Sequence, residues 1–196
     1  VLLEVASAHD VDNIVFSSSC TVYGEPEDMP VAESAPFQRA ESPYGWTKQA
    51  CERILEDHAA ALRAAHVALL RYFNPIGAHP SAHIGELPLG VPNNLIPFLT
   101  QSVSGIRKAL TVFGGDYDTP DGTCIRDYLH VMDLAEAHVA ALQWCLDQPD
   151  DRSAIRPFNL GTGQGASVLE VIQNFERATG KKVPYNMGDR REGDVV

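Results

Sequence analysis

Ser17-Ser18-Ser19-Cys20-Thr21 and, about one βα unit further along, Tyr44-Gly45-Trp46-Thr47-Lys48 supply a hydroxyl, a phenol and an ammonium, the groups needed to move one proton. A tyrosine phenol titrates near about 10 in water, and a neighbouring positive charge favours its anionic form. Lys48 follows Tyr44 by four residues, so on a helix the two share one face. A phenolate held this way can take a proton from an alcohol and later return it, with Ser19 as relay or second hydrogen-bond partner. An isolated Tyr-x-x-x-Lys is more often a packed tyrosine beside a solvated lysine. The serine cluster upstream is what gives this one weight.

The surrounding pattern sets these groups at the ends of regular elements. Ile14-Val15-Phe16 reads as a buried strand within residues 13–19, which puts the serines at its carboxyl end, where open α/β sheets carry their chemistry. Ser42 is an N-cap and Pro43 a first helical residue, so Tyr44 and Lys48 fall in the opening turns of a helix running to about residue 64. His66 to Tyr72 reads as the next strand, giving the βαβ rhythm of a parallel sheet. Asn74 to about Asn93 is rich in Pro, Gly and His and reads as a long loop. Beyond it the pattern predicts a helix from Leu95 to about Gly105, a strand at Leu110–Phe113 and a helix from Val131 to about Asp147. A strand at Pro157–Leu160 and a helix from Val168 to about Thr179 follow, with a further strand near Val183. The fold class is α/β, a partial Rossmann-like doubly wound parallel sheet.

Composition narrows the partners. With 44% hydrophobic residues the chain can bury a sizeable core, and its formal net charge of -11 argues against nucleic acid or an anionic membrane surface. An anionic ligand must then be met locally, by Arg71, Arg126, Arg190 or Arg191. The four cysteines form no Cys-x-x-Cys pair, so reduced, partly buried thiols are expected and no metal site is read from them. No long apolar span or signal-peptide pattern is present in the sequence, and the cytoplasm is the default setting.

Three further patterns carry less. Gly161-Thr162-Gly163-Gln164-Gly165-Ala166 fits G-x-G-x-x-G/A after a strand, but Ser167 and Glu170 form a capping box that explains the helix start without a ligand. His79, His83 and Glu86 have metal-ligand spacing only if helical, and Pro80 and Gly85 point to a loop. Asp116, Asp118 and Asp121 resemble part of a calcium loop, but Pro120 takes the place of its third acidic position, which leaves an acidic surface loop.

The serine cluster and Tyr44/Lys48 are joined by Arg71-Tyr72-Phe73-Asn74-Pro75-Ile76-Gly77, Val91-Pro92-Asn93-Asn94-Leu95-Ile96-Pro97, Gly122-Thr123-Cys124-Ile125-Arg126-Asp127-Tyr128-Leu129-His130 and Arg190-Arg191-Glu192-Gly193-Asp194. In this order, and over nearly the whole chain, they resemble the extended short-chain dehydrogenase/reductase superfamily, and within it the branch that inverts C4 of UDP-glucose and UDP-galactose. The resemblance implies NAD as cofactor, with Ser19, Tyr44 and Lys48 catalytic and, together with Tyr72 and Phe73, on the cofactor side. It assigns Asn74, Asn94, Leu95, Thr111, Val112, Phe113, Arg126, Arg191 and Asp194 to the nucleotide-sugar site. It also implies that residues 1–73 are the later part of an NAD-binding domain and 74–196 mainly a smaller α/β substrate-binding region, with some segments returning to the Rossmann core. By the same comparison the chain reads as a fragment, without the glycine-rich turn that would hold a pyrophosphate at a helix N-terminus, and the full-length protein as a homodimer. A related epimerase, a 4,6-dehydratase or a non-catalytic nucleotide-sugar-binding module are the alternatives. A dehydratase would carry an Asp-Glu pair directly after Thr21, where Val22 and Tyr23 stand.

Overall fold

The computed structural model describes residues 1–62 and 64–190. In chain order the elements are α1 (Leu2–Ala8), β1 (Asn13–Ser19), a 3-10 turn at Cys20–Tyr23, α2 (Pro43–Ala61), β2 (His66–Tyr72), β3 (Asn74–Ile76), α3 (Leu95–Val103) and β4 (Leu110–Phe113). Then come β5 (Ile125–His130), α4 (Val131–Leu146), β6 (Ala154–Leu160), β7 (Gly165–Ser167), α5 (Val168–Thr179) and β8 (Tyr185–Gly188). The chain divides into two compact units, Val1–Phe73 with Asp133–Gly161, and Asn74–Met132 with the chain from Thr162 onward.

In the first unit β1, β2 and β6 form a parallel sheet in that order, with Asn13 opposite His66 and Ser19 opposite Tyr72. The central strand β2 is buried at every position but its last, as a parallel strand covered on both faces must be. Its residues alternate between two cores. Val67 and Leu69 pack with Leu55 and Ala59 of α2 and with Ile14 and Phe16. Ala68 and Leu70 pack with Ala141 and Cys145 of α4 and with Val15 and Phe158. Helices thus cover both faces, the doubly wound arrangement. One expectation needs correcting: Ile14, Val15 and Phe16 are only half-buried, because among the described residues β1 is an edge strand. The buried positions of β1 are Ser18 and Ser19.

The same alternation removes Arg71 from the anion-binding candidates. It points to the α2 face, where it is buried and Nε and Nη2 donate to the Glu52 carboxylate while Nη1 donates to the Tyr23 hydroxyl and the Glu33 carbonyl. Helix α2 begins as its sequence predicts, with Ser42 Oγ accepting the Gly45 N–H at 3.1 Å and Pro43 in the first position. Gly45 is buried against the turn after β1. A Cβ there would lie 3.2 Å from the Thr21 carbonyl oxygen, so glycine lets the start of α2 approach the end of β1 closely.

In the second unit β5 is central, parallel to β3 and antiparallel to β7, and β4 pairs in parallel with β8. Leu99, Leu110, Val112, Ile172 and Val183 form its core with apolar residues of α3 and α5. Helix α5 carries the predicted capping box, Ser167 and Glu170 exchanging side-chain and backbone hydrogen bonds, and ends at Gly180 in the left-handed conformation. The strand expected near Val183 starts at Tyr185. Strands β3, β5 and β7 have no counterpart in the sequence-based reading. Among the described residues no group of His, Cys, Asp or Glu could hold a metal ion. The four cysteines, all described, form no disulfide.

Candidate active site

At the carboxyl end of β1, Ser19 is extended and its Oγ accepts the Thr21 N–H at 3.3 Å, opening the 3-10 turn. Gln49 of α2 steadies that turn, its Nε2 donating to the Val22 carbonyl at 2.8 Å and to the Gln38 carbonyl at 2.7 Å. In the first turns of α2, Tyr44 is 55% exposed and so open to a ligand. The Lys48 ammonium lies 5.5 Å from the centre of the Tyr44 ring and 5.1 Å from that of Phe16. It donates to the Ser17 carbonyl at 2.7 Å. The predicted phenol and ammonium are therefore side by side, at the end of the strand that carries Ser19.

Tyr72 and Phe73 lie at the carboxyl end of β2. The Phe73 N–H donates to the Leu160 carbonyl at 3.1 Å. The Tyr72 hydroxyl is 2.7 Å from both Ser17 Oγ and His138 Nε2. Burial pushes its pKa up, the Ser17 hydrogen bond works the other way, and the neighbouring Tyr44 adds to the rise. Sequence reasoning missed His138, which sits in an otherwise apolar stretch of α4, and Glu52, which takes the Ser18 hydroxyl and Arg71.

In the second unit Asn74 opens β3 opposite Tyr128. Asn94 precedes α3 without capping it, and its Nδ2 donates to Glu86 Oε1 at 2.9 Å, while Leu95 is the first helical residue. On β4 the alternation exposes Thr111 and Phe113 and buries Val112 in the core. A ligand role for Val112 would therefore have to use its backbone. Arg126, on β5 opposite Ala166, donates from Nη1 to the Ile125 carbonyl at 2.7 Å. Arg190 is engaged by Asp116, Nε to Oδ1 at 2.7 Å, and its guanidinium lies 4.1 Å from the centre of the Tyr117 ring. Arg191 and Asp194 lie outside the described residues.

The glycine-rich turn after β6 is closed from within. The Thr162 and Gly163 N–H groups donate to the Asp127 carboxylate at 2.9 and 2.8 Å, and the Thr162 hydroxyl does so at 2.6 Å. A carboxylate already fills the place where a pyrophosphate would need those amides. His79 lies in a turn with its Nδ1 2.7 Å from Ser81 Oγ.

The profile of the NAD dependent epimerase/dehydratase family matches residues 1–161. The chain is 52% identical over 195 residues to UDP-glucose 4-epimerase of Bos taurus, covering all of this chain and 55% of that protein. It is likewise 52% identical to UDP-glucose 4-epimerase of Bacillus subtilis (strain 168), of which it covers 56%. The chain thus spans about half the length of the curated relatives it matches. Among solved structures it superposes with a TM-score of 0.91, at 47% identity, on UDP-glucose 4-epimerase from Bifidobacterium longum in complex with NAD+ and UDP, covering all of this chain and 57% of that one. The enzyme from Stenotrophomonas maltophila, with bound NAD and formylated UDP-arabinopyranose, gives 0.92 at 52% identity, with 99% and 56% covered. The Rossmann-like epimerase fold is therefore that of this chain.

Proposed function

This chain belongs to the NAD dependent epimerase/dehydratase family, and on that premise we propose that the full-length protein interconverts UDP-glucose and UDP-galactose by inversion at C4. The observation that carries the reading is the exposed Tyr44 phenol beside the Lys48 ammonium at the carboxyl end of a parallel sheet. Hydroxyls and an ammonium at such a strand end suit a dinucleotide's ribose and nicotinamide, and Ser19, Tyr44, Lys48, Tyr72 and Phe73 are the residues that would hold NAD. Bound NAD supplies a reversible hydride acceptor for the sugar carbon.

Tyr44 takes the C4 hydroxyl proton as that carbon becomes a ketone and returns it when the opposite face is reduced. Lys48 places positive charge beside the ring where negative charge develops on the phenol oxygen. Ser19 is the second hydrogen-bond partner of the reacting oxygen. The sugar must be held loosely enough to turn over while the nucleotide stays anchored. Asn74, Asn94, Leu95, Thr111, Val112, Phe113 and Arg126, with Arg191 and Asp194, are the residues assigned to that anchor. Guanidinium forks match phosphate oxygens, and each charged hydrogen bond contributes about 1.5–3 kcal/mol.

Dehydration is disfavoured because the two residues that follow Ser19, Cys20 and Thr21, and the buried Val22 and Tyr23 after them include no carboxylic acid. A homodimer is supported by exposed Trp46 and Ile54 on α2, and a reducing, cytoplasmic setting by four thiols without a disulfide. The net charge of -11 favours small anionic ligands met by local arginines over nucleic acid or membrane. A coupled assay of the full-length protein with UDP-galactose and NAD tests the reading. Formation of UDP-glucose supports it, and no turnover of either sugar nucleotide overturns it.

A further inference from the structure

Ser17 joins the two faces of the first sheet. Its neighbour Ser18 points to the α2 face, donating to Glu52, so strand alternation turns the Ser17 side chain to the α4 face. There its Oγ lies 2.7 Å from the Tyr72 hydroxyl, which lies 2.7 Å from His138 Nε2. His138 is anchored in turn: its Nδ1 is 2.8 Å from the Leu134 carbonyl of the same helix. The Ser17 carbonyl, meanwhile, accepts the Lys48 ammonium at 2.7 Å. One residue therefore ties Lys48 on α2 to His138 on α4.

The hydrogen-bond directions follow from the donors available. A carbonyl only accepts, so Nδ1 of His138 donates to Leu134. The Tyr72 hydroxyl donates to Ser17 Oγ, and its oxygen lies within hydrogen-bond distance of His138 Nε2. These hydrogen bonds hold the side chain of Ser17, the residue whose carbonyl accepts Lys48. Burial alone does not call for these groups: Ser17 is exposed and Tyr72 only half-buried, and a phenylalanine at position 138 would cover the same apolar surface.

We propose that His138 is a positioning residue for the proton-transfer pair, acting through Tyr72 and Ser17 to hold Lys48 beside Tyr44. The proposal rests on the reading of Tyr44 and Lys48 as that pair. Displacing a reacting group by about 1 Å can cost on the order of 100-fold in rate, so breaking the chain at His138 should act on turnover and leave UDP-sugar binding alone.

The test uses full-length enzyme carrying His138→Phe, His138→Gln, Tyr72→Phe or His138→Phe with Tyr72→Phe. His138→Phe should lower kcat about 10- to 100-fold with KM for UDP-galactose nearly unchanged. His138→Gln, whose amide can still hydrogen-bond with Tyr72, should recover most of it. The double variant should be no slower than the slower single one, since either change breaks the same chain. A second readout needs no turnover: the 13Cε resonance of Lys48, assigned with Lys48→Met, should move in His138→Phe and return in His138→Gln. An unmoved Lys48 resonance, or wild-type kcat in a folded His138→Phe enzyme, overturns the proposal. Wild-type enzyme inactive on UDP-galactose would instead overturn the proposed function, with the Lys48 resonance still deciding whether His138 positions the amine.

Discussion

Arg71 and Glu52 form a buried ion pair, Nη2 to Oε2 at 2.7 Å, with side chains 5% and 0% exposed. Because Glu52 also takes the Ser18 hydroxyl, the pair bolts β1, which carries Ser17 and Ser19, to α2, which carries Tyr44 and Lys48. A buried pair contributes little net stability compared with apolar packing, but removing one partner leaves a charge without compensation. Glu52→Ala should therefore destabilise the fold by about 3–5 kcal/mol, read from chemical denaturation. Glu52→Met combined with Arg71→Met should regain most of that loss. A Glu52→Ala protein with the wild-type midpoint would contradict the account.

Tyr44→Phe in the full-length enzyme should lower kcat by about 10²- to 10⁴-fold, the usual loss when a general base is removed. Sugar-nucleotide affinity should change far less, because the phenol oxygen is proposed to act on the transferred proton. Steady-state kinetics with a parallel UDP titration separates the two effects. An unchanged kcat would remove Tyr44 from the chemistry.

How much could be read in advance depended on whether a signal was local. The caps of α2 and α5 and strands β1, β2 and β4 follow from short-range patterns: Ser42-Pro43, the Ser167/Glu170 box, and apolar runs bounded by turns. Strands β3, β5 and β7 were hidden because Asn-Pro-Ile, Ile-Arg-Asp-Tyr-Leu-His and Gly-Ala-Ser have little strand character of their own, and only pairing with one another makes them strands. Tyr44 and Lys48 were legible because their contact is one helical turn long. His138 was not, since its link to Tyr72 spans 66 residues. Arg71 misled for the same reason: nothing near it in sequence announces Glu52 as its partner.

Arg126→Ala and Arg191→Ala should each weaken UDP binding by about 1.5–3 kcal/mol while sparing hydride transfer, since both are proposed to meet the diphosphate. Calorimetric titration of each variant with UDP measures the first effect, and kcat at saturating substrate the second. UDP affinity indifferent to both changes would remove the anchor from the proposed function.

Asp121 offers a pH-dependent test of the second unit. Its Oδ1 accepts the Thr123 N–H at 2.9 Å and the Thr123 hydroxyl at 2.7 Å, and its Oδ2 accepts the Ser167 hydroxyl. Ser167 in turn caps α5, its Oγ accepting the Glu170 N–H at 3.0 Å, so the carboxylate orients the hydroxyl that starts the helix. Burial works to raise the Asp121 pKa, but the hydrogen bonds from Ser167 and Thr123 outweigh it and hold the carboxyl below its ordinary range. With the folded value lower than the unfolded one, the ionised group stabilises the fold fully above the unfolded pKa of about 4 and loses that contribution as pH falls through the folded value. Asp121→Asn should therefore destabilise the protein at pH 7, and the gap between variant and wild type should narrow steadily in acid. Urea midpoints for both proteins, taken from pH 7 down to the lowest pH at which wild type is folded, measure that gap. A gap constant over the whole range would mean that the charge on Asp121 has no part in holding the start of α5.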